Sequence, residues 1–545
     1  MHTVRSALVI VMAMLGSGLS TAANRDPART AFLVIAPDRG FLGNEEIREV
    51  FADFASSVVD ARLAFITRER TEENVRNVWE SLMRGERPAQ VVAAPLFLSR
   101  HDALYERAHE ALGTLEGPPI TFGPPLGASY LAEEILFDRV EALASSRTGD
   151  EHLVVITAGA DSEASESGIR KDLEPLVERA AEKYGLAGGR LYVLHDGAPS
   201  EEGRNAALER LMSDLESVST TGARTLIVPF SLGMKYTPMM SEWSSLQRRM
   251  GEFPDLVSDG KGVLPHDNVG RWLQKSATRS LPLRREDIGV ILVPHGADFN
   301  WNETMRRGMS PIRNEYVTED AFSMVDPMLI ESAVRKLEAR GMRAALVVRI
   351  FFMEDSFRTK AEYVLGLSRE YRGFPRRIRS GLVFHTVGGV EGSPQLARAL
   401  MDRLDEISTD PPRETIILMG HGSGNDEVND RWLRLLAGLA QEIREHEGES
   451  FRAIRYHTWR EDWPDKRREA VAAVRADVED ASEDDGIALV VPVRTGGQGP
   501  AAEYLDGLKY RYATGFAPHR EFTAWLRSEI DKGISGLLRS SGGTD

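Results

Sequence analysis

Two histidines in this sequence are each followed directly by glycine, in His295-Gly296 and His421-Gly422. Each pair comes just after a short apolar run, where a buried strand would end. An imidazole in such a position can bind a divalent metal ion or accept a proton near neutral pH, and glycine lets a ligand approach the backbone. The repetition favours a metal-binding or proton-transfer site; the alternative is that both imidazoles only hydrogen-bond to the next loop.

Composition narrows the chemistry that such a site can perform. Cysteine is absent from the 545 residues, so thiolate metal sites, cysteine nucleophiles and disulfides are excluded, and metal ligands must come from His, Asp and Glu. The formal net charge of −16 argues against a nucleic-acid partner, and an acidic ligand must meet clustered Arg or Lys. A content of 42% hydrophobic and 28% charged residues is typical of a folded, soluble protein.

The elements that must carry these residues recur along the chain. Four β-branched apolar runs, each followed by a Gly-bearing loop and a helical pattern, begin about 125 residues apart. Strands that alternate with amphipathic helices predict an α/β fold with a doubly wound parallel sheet in each unit. The four runs are residues 31–36, 153–157, 289–293 and 415–419, and the third strands of the units are residues 90–98, 225–232, 344–352 and 487–493.

Charged, proline-bearing stretches separate the repeated units. The central stretch, residues 281–287 (LPLRRED), is the predicted domain boundary. Ligands of open parallel sheets bind at the carboxyl ends of the strands, which is where the histidine loops belong. The boundary at residues 281–287 divides the chain into two expected modules. Module 1 is residues 24–280, with half-units 30–145 and 151–280, and module 2 is residues 281–545, with half-units 287–408 and 413–537.

The first 23 residues have the pattern of a secretory signal peptide. Arg5 precedes an apolar stretch at residues 7–15, and small residues follow at 20–23. The apolar stretch is too short for a membrane-spanning helix. We expect an exported protein, periplasmic or secreted, with no stable membrane insertion after the signal is removed; an uncleaved anchor or a misassigned start is the alternative.

The order of strand, HG(A/S), loop, Asn and helix resembles the class II chelatases of tetrapyrrole biosynthesis. It is most similar to the CbiX-type sirohydrochlorin cobaltochelatases, with ferrochelatase as a more distant relative. Residues 92–99 (VAAPLFLS) are similar to the family's third strand, and residues 122–127 and 388–394 are similar to its closing segment. The resemblance covers essentially the whole chain after the signal, as four chelatase-like half-domains arranged as two bilobal modules. It implies that a metal ion and a macrocycle meet in a cleft between paired half-domains.

The same resemblance implies roles for individual residues. His295 and His421 match the family's histidine after the first strand. The two half-units of module 1 have Asp38 and Ala158 at that place, so module 1 is degenerate in that it lacks the motif histidines. Ferrochelatases use a glutamate opposite their histidine, which nominates Glu354. The implied catalytic and metal-binding residues are therefore His295, His421 and Glu354; a solvated helix start is the alternative interpretation of Glu354.

Sirohydrochlorin-like substrates carry many carboxylates, so the resemblance also implies cationic side chains around the cleft. Arg494 is the foremost candidate because a Gly-rich turn follows it after a buried strand, and Arg306 and Arg349 are further candidates. The alternative is that each is a solvated surface charge. The implied partners are a tetrapyrrole and, as substrate, a divalent metal: Co²⁺ first, with Ni²⁺ or Fe²⁺ as alternatives. We expect no organic cofactor, and either a monomer or a homodimer.

Other positions near these motifs have simpler interpretations. Asn302 and Asn429 precede helical patterns and are interpreted as helix N-caps. Trp459 and Trp463 could stack on a flat macrocycle, with core packing as the alternative. The segment 238–243 (PMMSEW) could line an apolar groove, again with core or lid packing as the alternative.

Three functions from different classes fit these features. The first is a chelatase that inserts a divalent cation into a sirohydrochlorin-like tetrapyrrole. The second is an exported, non-catalytic metal- or tetrapyrrole-binding protein on the same scaffold, which the loss of motif histidines from the first two units favours. The third is a hydrolase, which ranks last because the sequence has no G-x-S-x-G nucleophile elbow.

Overall fold

The computed structural model describes residues 30–540, apart from residues 59, 85, 146–148, 198–199, 220–222, 233–247, 249–250, 252, 254 and 448–449. The chain forms two compact units. Unit 1 ends at Leu281 and also contains Arg379–Gly381, and unit 2 contains Pro282–Ile378 and the chain from Leu382 onward. No helix within the described ranges is long and apolar enough to cross a membrane. The predicted signal peptide and the segment 238–243 lie outside the described residues.

Each unit contains two four-stranded parallel sheets, one in each half-unit, which confirms the predicted doubly wound α/β fold. All four sheets have the same order, in which the first strand lies between the second and the third, and the fourth lies beside the third. The strands are β1 (Thr30–Pro37), β2 (Ala61–Ile66), β3 (Gln90–Pro95) and β4 (Ile120–Phe122); β5 (His152–Ala158), β6 (Gly188–Leu194), β7 (Thr225–Pro229) and β8 (Leu256–Val257); β9 (Ile288–Pro294), β10 (Thr318–Asp320), β11 (Ala344–Ile350) and β12 (Val383–Gly388); and β13 (Glu414–Gly420), β14 (Ala453–Thr458), β15 (Ile487–Val493) and β16 (Tyr510–Tyr512).

Helices connect the strands and cover the sheets, as parallel crossovers require. Those of unit 1 are α1 (Gly40–Ser57), α2 (Thr71–Met83), α3 (Ala103–Gly113), α4 (Tyr130–Leu143), α5 (Glu163–Lys183), α6 (Glu201–Ser219) and α7 (Asp267–Ser280). Those of unit 2 are α8 (Phe299–Met309), α9 (Pro327–Ala339), α10 (Arg358–Val364), α11 (Pro394–Ile407), α12 (Asp426–Glu447), α13 (Pro464–Ala481), α14 (Ala501–Tyr504) and α15 (Arg520–Ser540).

The first strands are mostly apolar because helices cover both faces of each sheet. Every residue of β1, β9 and β13 is buried. The same burial explains why these strands appear in the sequence as continuous runs without alternation. The four apolar runs locate the first strands to within one residue at each end, whereas the predicted third strands 90–98 and 225–232 extend three residues beyond the ends of β3 and β7.

The last helix of each unit packs on the other half-unit. α15 is the last helix of half-unit four but lies against β11 and β12 of half-unit three. The approach is close at Gly533, where an added Cβ would lie 2.4 Å from Cδ1 of Leu346. In unit 1, α7 is the last helix of half-unit two and packs against α1 and α4 of half-unit one. The two half-units of each unit therefore share a hydrophobic core. This shared core holds together the loops that follow the carboxyl ends of their strands, which are called the carboxyl edge below.

Candidate functional site

The two His-Gly loops of unit 2 have the same local geometry. His295 follows β9 and is exposed, and His421 follows β13 and is partly buried. Gly296 and Gly422 both have φ of +80°, a left-handed conformation that glycine adopts without strain. In each loop the glycine carbonyl faces the ring of the preceding histidine, at 2.7 Å from Nδ1 of His295 and at 3.0 Å from Nδ1 of His421.

These contacts determine the tautomer of both histidines when they are neutral. A carbonyl oxygen can only accept a hydrogen bond, so Nδ1 carries the proton and Nε2 carries the lone pair. The Nε2 atom of His421 lies 3.4 Å from Oδ2 of Asp462, a carboxylate that the sequence interpretation did not consider. Both imidazoles are therefore prepared to bind a cation or to accept a proton through the same atom.

Asparagine side chains hold the two loops in shape. In α8, Oδ1 of Asn302 accepts from the backbone N–H of Ala297 at 3.0 Å. In α12, Oδ1 of Asn429 accepts from the N–H of Ser423 at 3.2 Å and from the hydroxyl of Thr458 at 2.8 Å. The interpretation of these asparagines as N-caps is wrong, because both lie inside the helix and bond back to the histidine loop.

The N-cap of α8 is Asp298, whose side chain accepts from the N–H of Trp301. Unit 1 has loop contacts of the same kind. Oδ1 of Asn44 accepts from the N–H of Arg39 at 2.9 Å in half-unit one, and the hydroxyl of Ser165 accepts from the N–H of Asp161 at 3.0 Å in half-unit two. All four half-units thus tie the loop after the first strand to the following helix.

The carboxyl edges of half-units three and four meet within unit 2. Nε1 of Trp301, in the first turn of α8, donates to the carbonyl of Gly496 at 3.2 Å, in the loop after β15. Phe352, just after β11, stacks on Trp432 of α12 with ring centroids 4.7 Å apart. The histidine loops of the two half-units therefore flank a shared edge, as the ligand-binding rule for parallel sheets predicts.

Glu354 lies in the loop after β11, at the same edge. Its side chain is 64% exposed and has one ionic partner among the described residues, Arg358 at 3.6 Å. Helix α10 begins at Arg358, so Glu354 lies before the helix and outside its first turn. A carboxylate in this position is open to a ligand from solvent.

The predicted metal ligands do not form a ready-made metal centre. Within the described parts of the chain, no group of three or more His, Asp and Glu side chains is placed to hold a metal ion. His295, His421 and Glu354 instead lie on separate loops of unit 2. A metal ion bound by one of these side chains would need water or further ligands to complete its coordination.

The three predicted substrate-binding arginines have different surroundings. Arg349 is only 2% exposed, and its guanidinium donates to the backbone carbonyls of Glu354, Ser356 and Gly388. Burial lowers the pKa of Arg349 below its ordinary value. The prediction that Arg349 meets substrate carboxylates is wrong, because its guanidinium is buried and donates to backbone carbonyls of the protein.

Arg306 and Arg494 remain accessible at the edge. Arg306 pairs with Glu303 and lies over the ring of Phe322, 4.6 Å from its centroid, with 44% of its side chain exposed. Arg494 donates from Nη1 to Glu461 at 3.2 Å and is partly exposed. Among the described residues each guanidinium has one carboxylate partner, which an anionic ligand would have to supplement or displace.

Exposed apolar side chains surround the same edge of unit 2. Trp463, in the loop after β14, is 36% exposed, and its ring is perpendicular to that of His421 with centroids 6.2 Å apart. Trp459 is instead buried in the half-unit core, so the stacking interpretation applies to Trp463 alone. Other exposed apolar residues at the carboxyl ends of the strands are Phe299, Met324, Met328, Leu329 and Val428.

At the corresponding edge of unit 1, an arginine forms ion pairs with carboxylates of both half-units. Arg39, from half-unit one, donates from Nη1 to Asp196 of half-unit two at 2.9 Å and lies 3.5 Å from Asp102. Asp196 in turn accepts from the backbone N–H of Gly159 at 2.6 Å. Burial raises the pKa of Asp102 to about 7, against the opposing effect of Arg39. Ion pairs occupy the place where unit 2 presents its histidines.

Two solved structures are similar to parts of this chain. SirB from Bacillus subtilis with Fe³⁺ has 16% sequence identity and a TM-score of 0.35, covering 46% of this chain and 94% of that one. DR2241 from Deinococcus radiodurans, a multi-domain protein with structural similarity to chelatases and two additional novel domains, has 17% identity and a TM-score of 0.32. That match covers 45% of this chain and 55% of DR2241. No protein-family model matches the chain, and no curated protein sequence matches it.

Proposed function

We propose that unit 2 binds a divalent metal ion at the edge shared by half-units three and four and inserts it into a tetrapyrrole. The supporting observation is that Nδ1 of His295 and of His421 faces a glycine carbonyl, which leaves the lone pair of each neutral ring on Nε2. Metal ligation and proton removal from a pyrrole both require that lone pair.

The residues around the cleft suit the separate demands of metal insertion. The ion must exchange part of its water shell for protein ligands, for which Nε2 of His421 and the carboxylates of Asp462 and Glu354 are the candidates. Two pyrrole protons must leave as the ion enters; Nε2 of His295 is the candidate acceptor of one, and water at this exposed position takes the other. A site with only a few protein ligands suits an ion that must be passed on to the tetrapyrrole.

The surroundings favour a macrocycle as the acceptor of the ion. The exposed apolar side chains, Trp463 among them, suit a flat aromatic face, and Arg306 and Arg494 suit peripheral carboxylates. We propose a sirohydrochlorin-like tetrapyrrole and Co²⁺ as the first combination, with Ni²⁺ or Fe²⁺ as alternative ions.

A binding protein without catalysis is the second candidate. The described residues contain no three-ligand metal group, and Arg39 occupies the corresponding edge of unit 1. A carrier of this kind would bind the tetrapyrrole or the metal ion and show no turnover. Export of the mature chain is a separate proposal, which cell fractionation and the mass of the mature amino terminus would test.

The deciding experiment follows the tetrapyrrole absorption spectrum as the metal-free protein is mixed with Co²⁺ and sirohydrochlorin. We expect metallation faster than in the protein-free control, with the acceleration lost in His295→Ala and His421→Ala. His446→Ala, in the last turn of α12, is the matched control and should keep full activity. A spectral shift without acceleration for Co²⁺, Ni²⁺ or Fe²⁺ would contradict the chelatase and support the carrier.

A further inference from the structure

The backbone of Glu354 is held from several directions. Its N–H donates to Oε2 of Glu391 at 3.0 Å, and its carbonyl accepts from Nη1 of Arg349 at 2.7 Å. The same Nη1 also donates to the carbonyl of Ser356 at 2.9 Å. An added Cβ at Gly389 would lie 2.4 Å from Cα of Glu354, so the two backbones are in direct contact. This loop therefore has little freedom to move relative to β11 and β12.

Half-unit four reaches the same loop through Arg431 of α12. Nη2 of Arg431 contacts both carboxylate oxygens of Glu391, at 2.9 and 2.7 Å, and Nε contacts Oε1 at 3.1 Å. Nη1 contacts Oδ2 of Asp355, the residue after Glu354, at 2.6 Å. One guanidinium thus fixes the carboxylate that binds the Glu354 N–H and also the neighbouring side chain.

The side chain of Glu354 contrasts with its backbone. Its carboxylate is 64% exposed and lies 3.6 Å from the nearest ionic partner, Arg358. Ion pairs as exposed as those of Arg431 contribute little to stability, so stability alone does not account for a network of this extent. A rigid backbone with an open carboxylate is the arrangement expected of a group that must meet a ligand at a fixed position.

We propose that Arg431 is a positioning residue that sets the location of the Glu354 carboxylate through Glu391 and Asp355. The inference rests on the proposed function, in which Glu354 contacts the metal ion. Half-unit four then contributes His421 and also controls the geometry of the acidic group on half-unit three. Lysine cannot replace Arg431, because a single ammonium lacks the planar fork that engages both carboxylates at once.

The test is a titration of the metal-free protein with Co²⁺, read from the visible absorption bands of the bound ion. Residues that orient a metal ligand typically change metal affinity by about 10–100-fold. We expect Glu354→Gln and Arg431→Gln each to weaken Co²⁺ binding by about 10-fold and to change the absorption bands alike. Arg431→Lys should behave as Arg431→Gln does. Arg434→Gln, on the exposed side of the same helix, is the matched control and should bind Co²⁺ normally.

The double variant separates positioning from an independent effect. If Arg431 acts through Glu354, then Glu354→Gln with Arg431→Gln binds Co²⁺ no more weakly than Glu354→Gln alone, and the melting temperatures of all variants stay close to that of the parent. Additive losses, or unchanged binding in Arg431→Gln beside weakened binding in Glu354→Gln, would overturn the positioning role and leave the proposed function intact. Unchanged Co²⁺ binding in both Glu354→Gln and His421→Ala would instead refute the metal site itself.

Discussion

The ring of His519 caps helix α15 by accepting a hydrogen bond from the backbone N–H of Glu521, at 3.2 Å from Nδ1. The Nδ1 atom must therefore carry its lone pair, the opposite of the tautomer in the His-Gly loops. Burial lowers the pKa of His519, with Arg403 acting in the same direction and Asp402 opposing it. Because α15 packs on the sheet of half-unit three, this cap affects the stability of unit 2 as a whole.

The first prediction concerns the pH dependence of unit 2. A histidine with a lowered pKa in the folded state contributes stability that is present above its unfolded pKa of about 6.5 and is lost as the pH falls towards the folded value. Asparagine also caps helices but does not titrate. We expect the free energy of unfolding to fall less between pH 7.5 and pH 5.5 in His519→Asn than in the parent, measured by denaturant titration. An equal fall in both would contradict the role of this cap.

The second prediction concerns unit 1, where burial raises the pKa of Asp102 to about 7. A carboxyl with a raised pKa contributes stability that is present below its unfolded pKa of about 4 and is lost as the pH rises through 7. Asp102→Asn should reduce the loss of stability between pH 5 and pH 8, read from hydrogen exchange in β5 after correction for intrinsic rates. Asp267→Asn, at an exposed site in α7, should leave that loss unchanged.

The third prediction compares two glycines of half-unit four. At Gly422 an added Cβ would lie 2.7 Å from Cβ of Thr458 and 2.8 Å from Oδ1 of Asn429, and φ is +80°. Gly422→Ala should therefore destabilise unit 2 by about 1–3 kcal/mol and weaken Co²⁺ binding by disturbing the His421 loop. Gly438, inside α12, has no atom near an added Cβ, so Gly438→Ala should stabilise by about 0.5–1 kcal/mol. Denaturant unfolding measures both, and similar effects at the two sites would refute the difference.

The fourth prediction compares two tryptophans of the same half-unit. Trp432 is buried and stacks on Phe352 across the two half-units, so Trp432→Ala should cost about 3–5 kcal/mol of unfolding free energy. Trp463 is 36% exposed beside His421, so Trp463→Ala should cost less than about 1 kcal/mol. It should nevertheless weaken binding of the tetrapyrrole, measured by absorption titration. A large loss of stability with unchanged binding would place Trp463 in the core instead.

The sequence predicts the strands well and the polar contacts poorly, for physical reasons. The run at residues 415–419 lies within β13 because burial on both faces demands an unbroken apolar segment. Burial of Arg349 could not be inferred, since its guanidinium is satisfied by the carbonyls of a loop that follows the strand. Likewise, nothing in local spacing links Arg431 to Asp355, 76 residues earlier in the chain. Such contacts depend on which half-unit faces which.

In every half-unit the loop after the first strand accepts support from one side chain of the next helix: Asn44, Ser165, Asn302 or Asn429. Each loop is held by a residue in the following helix, whatever residue stands at the strand end: Asp38, Ala158, His295 or His421 in the four half-units. This position is histidine in two half-units, aspartate in one and alanine in one. Ala158→His would give half-unit two the His-Gly-Ala order that half-unit three already has.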